Sequence, residues 1–278
     1  MTHYTTLADA STLAGHLDDR EWRIIDCRFE LGKPHAGREA WKQGHIPGAV
    51  YADLERDLSG RHEPGDGRHP LPSTESIEVL CNALGVSNDS QVVAYDDTGG
   101  AFAARLWWLL RRVGHSAVAV LDGGWSAWVD AGMPVADTPV APPPGAFIAH
   151  EPLVKTISAE EILADLPHEN LRLYDARGAS RFSGEEEPID PVAGHIPGAE
   201  NRPFTGNLDQ EGRFLPAARL RERFSSNSPV VHYCGSGVTA CHNLLAMEVA
   251  GLDAGYLYPG SWSGWIEDDT HPVERNGD

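Results

Sequence analysis

One cysteine stands where thiol chemistry could be used. In Val230-Val231-His232-Tyr233-Cys234-Gly235-Ser236-Gly237-Val238-Thr239-Ala240 a buried-strand pattern gives way to a small loop with two glycines, and the loop to a helical pattern. Val238, Cys241, Leu245 and Val249 share one helical face and Gly251 supplies a stop, so the spacing predicts a helix over Val238 to Ala250. Cys234 then lies at the carboxyl end of a strand and just before a helix N-terminus. Free backbone N–H groups and the helix dipole stabilise an anion there and should lower the thiol pKa, and the thiolate is the nucleophile. Gly235 and Gly237 let the loop curl so that successive amides, on through Val238 and Thr239, point inward, a nest for a thiolate, a persulfide or an oxyanion. Ser236 adds a hydroxyl. The ordinary role of a free cysteine is as an inert core residue, and Cys241, seven positions on, is read that way. With one helix through both cysteines, their Cα atoms would be roughly 10 Å apart, too far for a disulfide.

Other groupings are less informative. Cysteine phosphatases and arsenate reductases also place a thiolate in an anion-binding loop, but such loops typically end with an arginine six positions after the cysteine, and here that position is Ala240. The segment His62-Glu63-Pro64-Gly65-Asp66-Gly67-Arg68-His69 gathers possible metal ligands without completing a ligand spacing, so it is read as a solvent-facing loop, and no metal is expected.

The elements that position Cys234 are written twice. Ile24-Ile25-Asp26-Cys27-Arg28 matches Leu173-Tyr174-Asp175-Ala176-Arg177, and Gly44-His45-Ile46-Pro47-Gly48-Ala49 recurs unchanged at 194–199. Val92-Val93-Ala94-Tyr95 matches Val230-Val231-His232-Tyr233, and Gly124-Trp125-Ser126-Ala127-Trp128 matches Ser261-Trp262-Ser263-Gly264-Trp265. Aligning Tyr95 with Tyr233 puts Asp96 in the place of Cys234, so only the second copy can do cysteine chemistry at this site. Residues shared by both copies are read as structural first: Asp175 and Arg177 as a buried ion pair or a partner for loop amides, His195 and His45 as turn-stabilising. His45 and Asp175 are retained as accessory candidates.

Short apolar runs (Trp22–Asp26, Gln91–Tyr95, Leu171–Asp175, Val230–Tyr233) alternate with amphipathic stretches (Thr74–Leu84, Ala101–Val113, Ser158–Leu166), which predicts an α/β domain with a mostly parallel sheet and helices on both faces, present twice. Proline-rich sequence from Asp137 to Gly145 favours an extended linker. The expected division is 1–140 for a non-catalytic domain, 141–147 for the linker and 148–278 for the catalytic domain. The six tryptophans at 107, 108, 125, 128, 262 and 265 fall in apolar contexts and are expected to pack in cores and at the domain interface.

A formal net charge of −19 leaves no cationic excess for phosphates or anionic lipid, so neither nucleic acid nor membrane is an expected partner. The most apolar run, 101–110, is interrupted by Arg105 and too short to span a bilayer, and the N-terminus lacks a signal-peptide pattern. Four cysteines without a Cys-x-x-Cys pair suit a reducing compartment, so a cytoplasmic protein is expected.

The tandem repeat together with Cys-Gly-Ser-Gly-Val-Thr-Ala resembles the two-domain rhodanese and mercaptopyruvate sulfurtransferase family, over about Trp22 to Trp265. The resemblance implies two rhodanese-like domains, the first inactive, and a sulfane sulfur carried as a persulfide on Cys234. It implies a small anionic donor, a cyanide or thiol acceptor, and no cofactor. The neutral loop is similar to that of the mercaptopyruvate branch, where the serine assists proton handling, whereas thiosulfate-selective members carry basic residues after the cysteine. Mercaptopyruvate is therefore the first donor and thiosulfate the alternative; a non-catalytic binding module is the remaining one. Arg181 matches the family's first substrate arginine. Farther along, where a second arginine is often found, this chain has Glu185-Glu186-Glu187-Pro188-Ile189-Asp190, so the second anchor stays unassigned.

Overall fold

The computed structural model describes residues 3–275, which divide into two compact units. The first comprises residues 3–60, 72–153 and 209–214; the second comprises 61–71, 154–208 and 215–275.

In the first unit the elements run β1 (Leu7–Ala8), α1 (Ala10–Ala14), β2 (Trp22–Asp26), α2 (Ala36–Gln43), β3 (Val50–Tyr51), α3 (Thr74–Ala83), β4 (Gln91–Tyr95), α4 (Ala103–Arg112), β5 (Val118–Leu121) and α5 (Gly124–Asp130). The second repeats the plan with β6 (Lys155–Thr156), α6 (Ala159–Asp165), β7 (Arg172–Asp175), α7 (Ala179–Ser183), β8 (Glu200–Asn201), α8 (Ala217–Phe224), β9 (Val230–Tyr233), α9 (Ala240–Val249), β10 (Tyr256–Leu257) and α10 (Ser261–Trp265). Sheet orders are β1-β5-β4-β2-β3 and β6-β10-β9-β7-β8, and every ladder is parallel. Parallel strands joined by crossover helices need cover on their faces, which is why β4 and β9 read as continuous apolar runs and are buried throughout. The edge strands are two residues long, below what alternation in a sequence can reveal.

The repeat extends to individual contacts. Arg28 pairs with Asp26 at 2.6 Å and Arg177 with Asp175 at 2.7 Å, both pairs buried, and each guanidinium also donates to the carbonyl of the glycine before the His-Ile-Pro turn. Each arginine lies over a tryptophan, Trp125 or Trp262. In the turns, Gly48 and Gly198 take φ of +81° and +75° after a proline, the type II pattern that only glycine adopts without strain. His45 and His195 are buried, their Nδ1 atoms each 2.7 Å from a backbone carbonyl, that of Trp41 and of Phe182. Trp107, Trp108, Trp128, Trp262 and Trp265 are fully buried, while Trp125 is half-buried.

Candidate active site

Buried strand β9 delivers Cys234, only 2% exposed, to the carboxyl edge of the second sheet. There the backbone is fixed by α10: Trp262 N–H donates to the Cys234 carbonyl at 2.9 Å, Ser263 N–H to that of Gly235 at 2.9 Å, and Cys234 N–H to Ser261 Oγ at 3.1 Å. Ser261 holds φ of +52°, a left-handed conformation costly for a side chain. Its hydroxyl repays part of that cost by donating to the Tyr258 carbonyl while accepting from Cys234.

The helix begins at Ala240, two residues later than its periodicity suggested, because Val238 and Thr239 belong to the turn that closes the loop. It is also buried on nearly all sides from Ala240 to Met247 rather than along one stripe, with Val249 only half-buried. Since no helix runs through both cysteines, the helical distance between Cys234 and Cys241 does not apply; all four cysteines are free thiols, and Cys241 Sγ lies 3.3 Å from the Gly237 carbonyl.

The two glycines of the loop do different work. Gly237, at φ +77°, takes the left-handed turn, and a Cβ there would lie 2.5 Å from the Pro259 carbonyl. Gly235 has an ordinary φ; what it supplies is space. A Cβ on it would sit 3.3 Å from Arg181 Nη1 and 3.4 Å from Arg68 Nη2. Two guanidinium groups therefore converge beside the residue that follows Cys234.

They are held by the acidic run 185–190. Arg181 Nε donates to both Glu187 oxygens at 2.9 and 3.0 Å, and its Nη2 reaches Asp190 Oδ2 at 2.8 Å. Asp190 Oδ1 accepts from Arg68 Nη1 at 2.6 Å. Asp190 thus bridges the two arginines, and Glu187 also meets Arg177 Nη1 at 3.3 Å. Burial pushes the Glu187 carboxyl up, but Arg181 and the Asp190 N–H outweigh it and hold the group below its ordinary value. Asp175, the accessory candidate, is occupied by Arg177 and its backbone N–H, and His45 lies in the first unit against Trp41.

Arg68 belongs to the segment expected to face solvent. His62 to Asp66 are exposed, but Gly67 and His69 are buried and Arg68 is half-buried, and Arg61–Leu71 forms part of the second unit. Close packing causes this: Gly67, at φ +73°, lies so near α10 that a Cβ would meet the Gly260 carbonyl at 2.4 Å, and the Arg68 N–H donates to Ser263 Oγ at 3.0 Å. The result sets His69 Nδ1 2.7 Å from Ser236 Oγ, both side chains buried.

The first unit shows what this kind of loop binds. There the Asp96 carboxylate accepts from the N–H groups of Thr98, Gly100, Phe102 and Ala103 at 2.8 to 2.9 Å. Burial pushes its pKa up against these four bonds. In the second unit the N–H groups of Gly235, Ser236, Val238, Thr239 and Ala240 have no hydrogen-bond acceptor among the described residues. One copy fills its anion nest with its own carboxylate; the other offers the nest, a thiol and two guanidiniums.

The rhodanese-like domain model matches residues 9–131 and again 158–268. Over 275 residues the chain is 48% identical to a "probable 3-mercaptopyruvate sulfurtransferase" of Pseudomonas aeruginosa, covering 96% of this chain and 97% of that protein. It is 37% identical over 255 residues to the human 3-mercaptopyruvate sulfurtransferase (87% and 84% covered) and 34% identical over 258 residues to the thiosulfate sulfurtransferase of Bos taurus (88% and 84%). The crystal structure of SseA from Escherichia coli, a 3-mercaptopyruvate sulfotransferase, superposes with a TM-score of 0.83 at 34% identity over 94% of this chain and 100% of that one.

Proposed function

Since the chain belongs to the rhodanese family, with two rhodanese-like domains in tandem, we propose that it is a sulfurtransferase that takes the sulfur of mercaptopyruvate onto Cys234 and hands it to a thiol or cyanide. The observation that carries this reading is the open amide loop around Cys234 with Arg68 and Arg181 at its edge.

The donor's carboxylate binds the guanidinium pair, whose fork geometry suits two oxygens. The Cys234 thiolate attacks the donor's sulfur, the S–S bond forms, and the C–S bond breaks with its electron pair leaving on carbon as the enolate of pyruvate. That enolate needs a proton, and Ser236, hydrogen-bonded to His69, is the group able to supply one. The persulfide then rests among the loop amides until an acceptor thiolate or cyanide attacks its outer sulfur and regenerates Cys234. No step calls for a cofactor.

Charge balance favours mercaptopyruvate over thiosulfate. Arg68, Arg177 and Arg181 are matched by Asp175, Glu187 and Asp190, so the cluster is near neutral and better suited to a monoanion than to a dianion. Two guanidiniums already stand beside position 235, where a further basic side chain would meet like charge. Buried free thiols fit a cytoplasmic protein, and no helix among the described residues is long and apolar enough to cross a membrane.

The deciding experiment measures kcat/KM with mercaptopyruvate and with thiosulfate, alongside mass spectrometry of donor-treated protein. One added sulfur on Cys234, lost in Cys234→Ser, and a higher efficiency with mercaptopyruvate are expected. A large preference for thiosulfate would reverse the donor assignment, and turnover by Cys234→Ser would end the reading.

A further inference from the structure

Ser236 and His69 meet in the second unit, yet His69 arrives on a segment that needs outside support. Residues 61–71 have no regular secondary structure, and 61–66 are exposed. An irregular segment holds one conformation only where its ties offset the chain entropy lost. Here the ties come from α10 and the turn that follows it. The Arg68 N–H donates to Ser263 Oγ at 3.0 Å, and the Gly65 N–H donates to Glu267 Oε2 at 2.6 Å. Between these bonds the segment packs against Gly260 and Gly264, where a Cβ on Gly264 would meet the Gly65 carbonyl at 2.5 Å.

Ser263 does more than anchor. It is buried, its N–H donates to the Gly235 carbonyl at 2.9 Å, and its hydroxyl accepts from Arg68. Gly235 is the residue before Ser236, and Arg68 is the residue before His69. One residue thus holds the neighbours of both partners in the 2.7 Å contact between Ser236 and His69. The other copy has the serine without the arrangement. Its Ser126 is exposed, and in Gly212-Arg213-Phe214, which corresponds to Gly67-Arg68-His69, the Arg213 N–H donates to Asp209 Oδ1 at 3.0 Å. Ala127 stands there in the place of Gly264.

We infer that Ser263 is a positioning residue for sulfur transfer: it sets the register between the Cys234 loop and segment 61–71, and so aligns His69 with Ser236 and holds Arg68 at the edge of the loop. Glu267 steadies the same segment from its exposed end. The inference rests on the sulfurtransferase reading above, in which Arg68 takes the donor's carboxylate and His69 serves Ser236. Ser263 and Glu267 act through segment 61–71 rather than on the donor.

Hydrogen exchange read by mass spectrometry, together with steady-state kinetics, tests this on the whole protein. In Ser263→Ala the Arg68 N–H loses its acceptor, and amides of 61–71 should exchange about tenfold faster than in the native chain. The backbone bond to Gly235 survives that change, so Cys234 should react with iodoacetamide within about twofold of the native rate. With mercaptopyruvate, kcat should fall about tenfold and KM rise about fivefold, whereas with thiosulfate only KM should move. Glu267→Ala, at an exposed position that does not endanger folding, should repeat the pattern at about threefold, and Glu267→Gln, whose amide oxygen still accepts from Gly65, should restore native values. Unchanged exchange and unchanged mercaptopyruvate kinetics in Ser263→Ala would overturn the inference. So would equal losses of kcat with both donors, or slowed alkylation, either of which puts the effect on the Cys234 loop instead. If the native protein took no sulfur onto Cys234, the sulfurtransferase reading would fall, and the exchange rates would still judge the tie.

Discussion

Ser236 Oγ and His69 Nδ1 lie 2.7 Å apart although 167 residues separate them in sequence. If this pair supplies the proton that turns the leaving enolate into pyruvate, its loss should be felt by one donor only. Ser236→Ala and His69→Gln are expected to lower kcat with mercaptopyruvate by roughly 100-fold. With thiosulfate the leaving group is sulfite, which needs no proton, and the change should be about threefold or less on the same scale. Equal losses with both donors would refute the proton role.

Asp190 ties Arg68 to Arg181, so the arginine pair should act as a unit. Arg68→Ala and Arg181→Ala should each raise KM for mercaptopyruvate by roughly tenfold to a hundredfold. The double variant should cost less than the product of the single effects, because the partners share one carboxylate. Steady-state kinetics on the four-protein cycle gives the answer.

Ser261 has Gly124 as its counterpart in the first repeat, both with positive φ, +52° and +56°. Ser261→Ala keeps the strain and loses both hydroxyl bonds, so a destabilisation of about 1 to 3 kcal/mol is expected in urea melts. Ser261→Gly removes the strain as well, and should recover about 1 kcal/mol of that loss.

Gly235 and Gly237 should respond differently to alanine. At 237 the new Cβ meets the Pro259 carbonyl at 2.5 Å in a left-handed conformation, and a loss of about 2 kcal/mol or more in stability is expected. At 235 the contacts are guanidinium nitrogens at 3.3 to 3.5 Å, which can give way. Stability should hold within about 1 kcal/mol, with the effect appearing in KM for the donor.

His232 is fully buried beside Met247, and burial lowers its pKa to about 3. Between an unfolded-state value of about 6.5 and the folded value, only the unfolded chain takes up the proton, so stability falls as pH falls through that window. The slope due to this residue approaches about 1.4 kcal/mol per pH unit. Denaturation of His232→Leu between pH 6 and pH 4 should show a shallower dependence; an unchanged slope would place the proton uptake elsewhere.

The place of Cys234 was legible because a repeat is a comparison: Asp96 against Cys234 needs no structure to be noticed. Buried strands such as β9 carried their own signature, and so did the Pro-Gly turns. Arg68 and His69 were not legible, since Pro64, Gly65 and Gly67 give their segment the composition of an exposed loop. Their burial comes from tertiary packing of Gly67 on α10, a contact between distant parts of the chain. The available signal was again a difference between copies: Gly67-Arg68-His69 recurs as Gly212-Arg213-Phe214, with the histidine replaced. The acidic run 185–190 misled for a related reason: read as a missing arginine, it is the clamp that aims two arginines.

The stretch Arg61–Leu71 lies in the first repeat by sequence and in the second unit by structure. A gene shortened to its second copy would keep Cys234 yet forfeit both His69 and Arg68. The copy with Asp96 in place of Cys234 is thus no relic awaiting deletion: it lends 61–71 to its twin, as the twin lends 209–214 in return.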